Sequence, residues 1–458
     1  MSKRFRMTAL FTLFSKDVTN TALSYSPVDD LHSRNHRPAR EGKFIFIQYM
    51  MVLLLLGSGS GGAASTVYGA AVGDTGQQQA YEHMVFLGDS LTAGYEPEVN
   101  ADAYDGFTTR LAEQELFRGR SQAINDGILG LTSEGLKNYM DAITAGRSIS
   151  TANIQTGLPG SSRTLDGAQT ARDIRNADLI TITIGGNDFL NALGSLTALP
   201  QDLSSIDLTP ITQGYRSHIT SIVDQLTTLN PKAVIVIADQ YQPVPMLAGA
   251  GLYRDLNKAA ASFSQIVEET VDHYKQQGLD VRVAHVATAF QGQELAMTHI
   301  AEGDIHPNAA GYESMAAAFS KAIWGEQSYI TPPASGTGTA GPVIYTNGRQ
   351  LKTADQPVVR SRRTYVALRD VTAALGARVS WSAANRSAVI SSGTQQITIP
   401  LNSKMIMVNG KRVSTDTAAF MKGSGSNSKV YVPLSLLADT LGYDVHYVNR
   451  WKAVFIRN

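Results

Sequence analysis

The chain predicts an α/β fold: a three-layer α/β/α domain around a parallel sheet, followed by a small α+β domain with an internal duplication. Three observations carry this prediction. From Met84 onward, short apolar runs rich in β-branched residues alternate with longer helical patterns, which argues a parallel sheet with right-handed crossovers. A tract without large apolar residues, Thr331 to Gly341 (TPPASGTGTAG), reads as an interdomain linker. Beyond it, residues 342–458 repeat themselves at an offset of 66 residues. A length of 458 residues fits this division. The predicted units are 1–72, an N-terminal extension with signal peptide; 80–327, the α/β domain; 328–341, the linker; and 342–458, the duplicated domain.

Phe44 to Leu56 (FIFIQYMMVLLLL) is apolar except for Gln48, follows Arg37, Arg40 and Lys43, and precedes a Gly/Ser/Ala tract. That is the order of a secretory signal peptide, and the run is short for a membrane span. Cleavage after Ala71 satisfies the small-x-small rule. The expected location is therefore outside the cell or at its surface; a retained anchor is the alternative. Two origins fit residues 1–42: an upstream start codon wrongly chosen, or a long basic region.

Strand candidates are Met84–Leu87, a segment near Gln122–Ile124, Leu179–Ile184, Ala233–Ala238 and Val281–Val286. Helix candidates are Thr108–Phe117, Thr132–Ala145, Pro210–Thr228, Leu252–Gln277 and Ala309–Ile323. The polar stretch from Gly146 to Thr170 reads as an insertion or loop. Tyr241-Gln242-Pro243-Val244-Pro245, after a strand, is placed to shape a cleft.

Lys plus Arg and Asp plus Glu number 39 each, so charge argues for neither a nucleic-acid partner nor an anionic membrane surface. The chain has no cysteine, which excludes disulfides, thiolate catalysis and Cys-ligated metals.

Four segments carry chemistry. Val85-Phe86-Leu87-Gly88-Asp89-Ser90 is a buried strand that delivers one serine to the carboxyl edge of the sheet, where ligands of such sheets bind. The others are Asn125-Asp126-Gly127-Ile128-Leu129-Gly130, Ile184-Gly185-Gly186-Asn187-Asp188 and Asp304-Ile305-His306-Pro307-Asn308. Gly130, Asn187 and Ser90 each follow an apolar run, so one sheet edge gathers them. Glycine at 130 suits a close approach of an oxyanion to backbone. Asp89 reads as a turn-stabilising residue.

Taken together, Tyr81 to Trp324 resembles the SGNH/GDSL hydrolases, whose four ordered blocks supply serine, glycine, asparagine and histidine. The resemblance implies a flavodoxin-like domain that hydrolyses carboxylic esters without metal or cofactor. It implies Ser90 as nucleophile, His306 as base, and the Ser90 and Gly130 N–H groups with the Asn187 amide as oxyanion hole. The acid departs from the pattern. The family's usual slot, three residues before the histidine, holds Gly303. Asp304, Glu302 and a dyad without a carboxylate are the alternatives, with Asp304 preferred because residues two apart in extended chain face the same side.

In the C-terminal unit, Tyr365-Val366-Ala367-Leu368 corresponds to Tyr431-Val432-Pro433-Leu434, and Leu375-Gly376 to Leu441-Gly442. Each copy reads as strand, short helix, then strands, with Asn347-Gly348 and Asn409-Gly410 as hairpin turns. The unit resembles the stalk-type domains named for the N-terminal region of copper amine oxidases, implying a spacer or an adhesive, cell-wall-contacting module. Its only histidine, His446, does not make a metal site. The expected function is a secreted esterase or acylhydrolase acting on lipid or short acyl esters. The alternatives are a polysaccharide or cell-wall O-acetylesterase and a non-catalytic surface-binding protein.

Overall fold

A computed structural model of the chain describes residues 79–194, 200–332 and 341–457. The apolar run at 44–56 and residues 333–340 of the linker tract lie outside these.

The central sheet has five strands: β1 His83–Gly88, β2 Gln122–Gly127, β3 Leu179–Thr183, β4 Val234–Ala238 and β5 Val281–Ala284. Their order is β2-β1-β3-β4-β5 and every pairing is parallel. The order reverses between β1 and β3, and that switch point is where an open α/β sheet offers a crevice. Alternate residues of the strands feed two cores. Val85, Leu87, Ile180 and Ile182 pack against helices α3 Ser133–Thr144, α4 Gly167–Asn176, α6 Thr209–Leu229 and α7 Ala250–Gln276. Met84, Phe86, Leu179 and Val236 pack against α2 Phe107–Glu115 and α8 Ala309–Trp324. Burial on both faces is why these strands read as unbroken apolar runs.

Three elements differ from the sequence reading. The run Val281–Val286 stops as a strand at Ala284, and Val286 opens a short helix whose first-turn Ala287 N–H is held by Asp239 at 2.7 Å. The stretch Gly146–Thr170 is not structureless. It holds an antiparallel pair, Ser148–Ser150 with Thr164–Asp166, and the start of α4, capped by Asp166 on Gln169 N–H at 3.0 Å. Helix α5, Gly186–Leu193, begins inside the third chemical block. The edge strand β2 leaves Gln122 to Asn125 exposed, which is why its apolar signal is weak.

In the C-terminal domain, β6 Arg363–Ala367 leads into helix α9 Leu368–Ala374, and β7 Lys429–Pro433 into α10 Leu434–Leu441. Gly376 and Gly442 close the two helices in the left-handed region, at φ 72° and 80°. Asn347-Gly348 and Asn409-Gly410 all have positive φ, as a two-residue hairpin turn needs. β6 and β7 pair antiparallel with Val366 opposite Val432, its own counterpart in the duplication.

The boundary between the domains is packed, not open. Tyr329 and Ile330, inside the segment 328–341 read as linker, are buried. The Gln114 side-chain amide binds the Ile330 backbone through both N–H and C=O, each at 2.8 Å. Leu116, Phe117 and Ile330 share one core with Tyr345, Val448 and Phe455. Phe117 sits edge-on to Phe455 at 4.8 Å between ring centroids.

Candidate active site

β1 ends in a backbone conformation that few residues tolerate. Gly88 has φ 145°, and a Cβ there would fall 2.1 Å from the Thr183 carbonyl oxygen. The chain then turns into a single helical turn, α1 Ser90–Ala93. Asp89 caps it, accepting the Leu91 N–H at 3.0 Å, and also accepts the Thr183 hydroxyl at 3.0 Å. Thr92 bonds Thr183 at 2.7 Å and the Leu87 carbonyl at 3.0 Å. Ser90 is thereby held at the first position of a helical turn, above the sheet's switch point. Burial pushes the Asp89 carboxyl up to about 6, against the lowering effect of its two hydrogen bonds.

Ser90 Oγ lies 2.8 Å from His306 Nε2, and His306 Nδ1 lies 2.7 Å from Asp304 Oδ1. The structure thus brings together all three residues expected to form the triad, two of them 216 positions apart. The shortened spacing of the acid has a local explanation. Asp304 Oδ1 also accepts the His306 backbone N–H at 2.8 Å, so one carboxylate oxygen closes a tight turn and meets the ring at once. Gly303, at φ 88°, provides the left-handed residue that enters this turn. Burial raises the Asp304 carboxyl, but the hydrogen bonds and charge of His306 outweigh it, and the net shift is downward. Glu302 turns elsewhere: its Oε2 is 3.1 Å from His299 Nδ1.

The histidine loop is fastened on several sides. The Tyr241 hydroxyl donates to the Ile305 carbonyl at 3.0 Å, and His299 N–H to the His306 carbonyl at 2.9 Å. The Tyr95 ring lies 4.5 Å from the imidazole.

Asn187 lines the pocket that Ser90 and His306 also line, and its amide reaches the segment that follows Gly130. The Asn187 amide donates to the Leu131 carbonyl at 2.9 Å, which spends one of its two hydrogens. The Gly130 carbonyl is held by the Gln155 amide at 3.0 Å, and a Cβ at 130 would meet Pro159 Cδ at 2.9 Å. Asn125 ties the Gly130 segment to the nucleophile's turn, donating to the Thr92 carbonyl at 2.8 Å and accepting Gly127 N–H at 2.9 Å. Asp188 accepts both the backbone N–H and the hydroxyl of Ser133, at 2.8 and 2.5 Å, locking α5 to α3.

Beside Ser90 and His306 opens a narrow pocket, largely apolar, lined by Phe189, Leu190, Leu193, Val244, Leu256 and Phe263. The Tyr241–Val244 segment forms one wall, as its position after β4 suggests. A separate cavity of about 570 Å³ lies on the Gly127–Leu129 side; Tyr104, Asn125, Gln155, Ser161 and Arg163 contribute its polar lining. Sequence reasoning gave no role to Thr92, Thr183 or Tyr95, and quoted Asn125 only as the first residue of its block. A threonine alternating with isoleucine in a wholly buried strand, as in Leu179–Thr183, is the signal for Thr183; Tyr95 carries none.

Among the described residues no group of three or more His, Cys, Asp or Glu is arranged to hold a metal. No described helix is long and apolar enough to cross a membrane.

Two family models match the chain: GDSL-like Lipase/Acylhydrolase family over residues 86–313, and Copper amine oxidase N-terminal domain over residues 345–456. The donor set of the latter, one histidine and no cysteine, does not fit the copper in its name. Uncharacterized protein YpmR of Bacillus subtilis (strain 168) is 20% identical over 225 residues, 47% of this chain and 84% of that protein. The lipase Lip_vut3 from a goat rumen metagenome is 18% identical, with a TM-score of 0.39, over 54% of this chain and 99% of that one. A mutant of Axe2, an acetyl-xylooligosaccharide esterase from Geobacillus Stearmophilus, is 18% identical, with a TM-score of 0.35, over 56% of this chain and 100% of that one. Four ordered sequence blocks, a β2-β1-β3-β4-β5 parallel sheet and the family match agree: residues 86–313 belong to the GDSL-like lipase/acylhydrolase family of ester hydrolases, and residues 345–456 form a copper amine oxidase N-terminal domain.

Proposed function

We propose that the chain is a secreted serine esterase that cleaves carboxylic esters through an acyl-Ser90 intermediate. The observation that carries this reading is the continuous hydrogen-bonded line from Ser90 Oγ through His306 to Asp304, at 2.8 and 2.7 Å. His306 Nε2 takes the hydroxyl proton as Oγ bonds to the ester carbonyl carbon, and Asp304 holds the ring in the tautomer with hydrogen on Nδ1. The oxyanion that develops is met by the Ser90 and Gly130 N–H groups and the remaining Asn187 hydrogen; one such donor is worth roughly 3–4 kcal/mol. Collapse breaks the ester C–O bond, and His306 returns its proton to the departing alkoxide. Water, activated by the same imidazole, then releases the acid.

The apolar pocket beside Ser90 suits the acyl portion, and its narrowness favours short chains. The polar cavity beyond Gly127–Leu129 favours a second reading of the alcohol portion as a saccharide, which would make the enzyme an O-acetylesterase.

Turnover of p-nitrophenyl acetate through p-nitrophenyl dodecanoate by the wild type, Ser90→Ala and His306→Gln tests the mechanism. Both variants should fall by a factor of about 10³ or more. Activity that survives Ser90→Ala removes Ser90 as the nucleophile; a wild type that turns over none of these esters leaves the surface-binding reading. Secretion, inferred from residues 37–64, is tested by N-terminal sequencing of protein recovered outside the cell.

A further inference from the structure

The contact between the two domains includes an arginine whose partners lead back to the active-site histidine. Arg450, in the turn Asn449–Trp451 of the C-terminal domain, places Nη2 2.7 Å from Asp105 Oδ1 and Nε 2.6 Å from Glu113 Oε2. Asp105 also meets Arg110 at 3.4 Å, and Arg110 reaches Glu313 at 2.6 Å. Glu313 lies on α8, the helix that begins at Ala309, directly after the histidine loop. Asp105 follows Tyr104, whose ring meets Tyr95 edge-on at 5.7 Å, and Tyr95 lies 4.5 Å from the His306 ring. Tyr312, next to Glu313, donates its hydroxyl to the Tyr95 carbonyl at 2.6 Å.

One charged network therefore fixes two things at once: the Tyr95–Asp105 loop that walls His306, and the helix that follows His306. The loop has only one turn of 3-10 helix, Ala101–Ala103, so its position depends on what holds its ends. The Arg450–Glu113 pair is the shielded one, its side chains 20% and 17% exposed, and shielding from water strengthens it relative to surface pairs; Asp105, the second partner of Arg450, is 45% exposed. Without Arg450, Glu113 and Asp105 lose the cation between them.

We propose that Arg450 is a positioning residue for ester hydrolysis: the C-terminal domain completes the active site by holding Tyr104 against Tyr95, and through it Tyr95 against His306. The inference rests on His306 acting as the base.

The test uses the full chain and a second interdomain pair as control. Arg120 pairs with Asp444 at 3.2 Å and shares no partner with this network. Arg450→Ala should lower kcat for p-nitrophenyl acetate about tenfold with KM little changed, because small displacements of a reacting group are costly. It should slow phosphonylation of Ser90 by a fluorophosphonate in the same proportion. Arg450→Lys should recover part of both. Asp105→Asn should match Arg450→Ala, and the double variant should lose no more than either alone. Arg120→Ala should lower Tm and leave kcat and labelling as they are. If Arg450→Ala fails to fold, Arg450→Gln carries the same comparison. Wild-type kcat and labelling in folded Arg450 variants, or an equal loss in Arg120→Ala, overturns the proposal. Activity that survives His306→Gln defeats the proposed mechanism itself; an inactive His306→Gln beside a fully active Arg450→Ala defeats only the role of Arg450.

Discussion

Asp304 meets the His306 ring from only two positions away along the chain, its Oδ1 2.7 Å from Nδ1. The four blocks give Ser90 and His306 by their order alone, but the acid's usual slot holds glycine, and the sequence leaves three arrangements open with Asp304 preferred on spacing. The structure separates them by where each carboxylate goes: Asp304 to the His306 ring at 2.7 Å, Glu302 to His299 at 3.1 Å. Periodicity could not show this, because the choice depends on a left-handed turn at Gly303 and on an oxygen that serves backbone and ring together. Asp304→Asn should lower kcat by a factor of about 10³–10⁴ through loss of the tautomer-holding acceptor, while Glu302→Gln should stay within about twofold of the wild type. Steady-state kinetics on one short ester measures both. The reverse pattern would assign the acid to Glu302.

At the scale of elements, the strands were legible because burial on both faces of the sheet makes them continuous apolar runs. Helix α5 was not, because its first residues, Gly186-Asn187-Asp188, are turn formers whose helical state is imposed by Ser133 and α3. The β1–α1 junction shows what a buried cap does to stability. Asp89 titrates at about 6 in the folded protein against an ordinary 3.8. Between those values the folded state keeps a proton that the unfolded chain releases, so this carboxyl makes stability fall as pH rises from about 4 to about 6. The effect is on the order of 3 kcal/mol for a shift of about two units. Asp89→Asn keeps an acceptor oxygen for Leu91 and Thr183 but cannot ionise. Urea unfolding at pH 4 and pH 7 should show the variant gaining on the wild type by a few kcal/mol across that interval. Parallel stability curves would mean that the cap is ionised throughout.

For the molecule as a whole, the sequence marks two units but not the surface that joins them. Phe117 of the hydrolase domain shares one core with Tyr345 and Phe455 of the C-terminal domain, a contact that neither domain's own pattern announces. Residues 328–330 look like the start of a linker, yet Ile330 is bound at both its N–H and its C=O by Gln114. Truncating Phe455 to alanine should destabilise the protein by about 3–5 kcal/mol. Because its ring packs on Phe117, calorimetry should show the hydrolase domain's transition moving together with that of the C-terminal domain. A shift confined to one transition would make the two units thermally independent.

The pairing of β6 with β7 has a consequence for how the C-terminal domain can be cut. Val366 faces Val432, so each half of the duplication supplies the neighbour that the other half lacks. A chain trimmed to either half would bare a row of peptide N–H and C=O groups along a strand that is now interior, and such a row invites pairing with another molecule. Deleting one copy would therefore not leave a shorter stalk; it would leave a sticky end suited to docking a second half-unit.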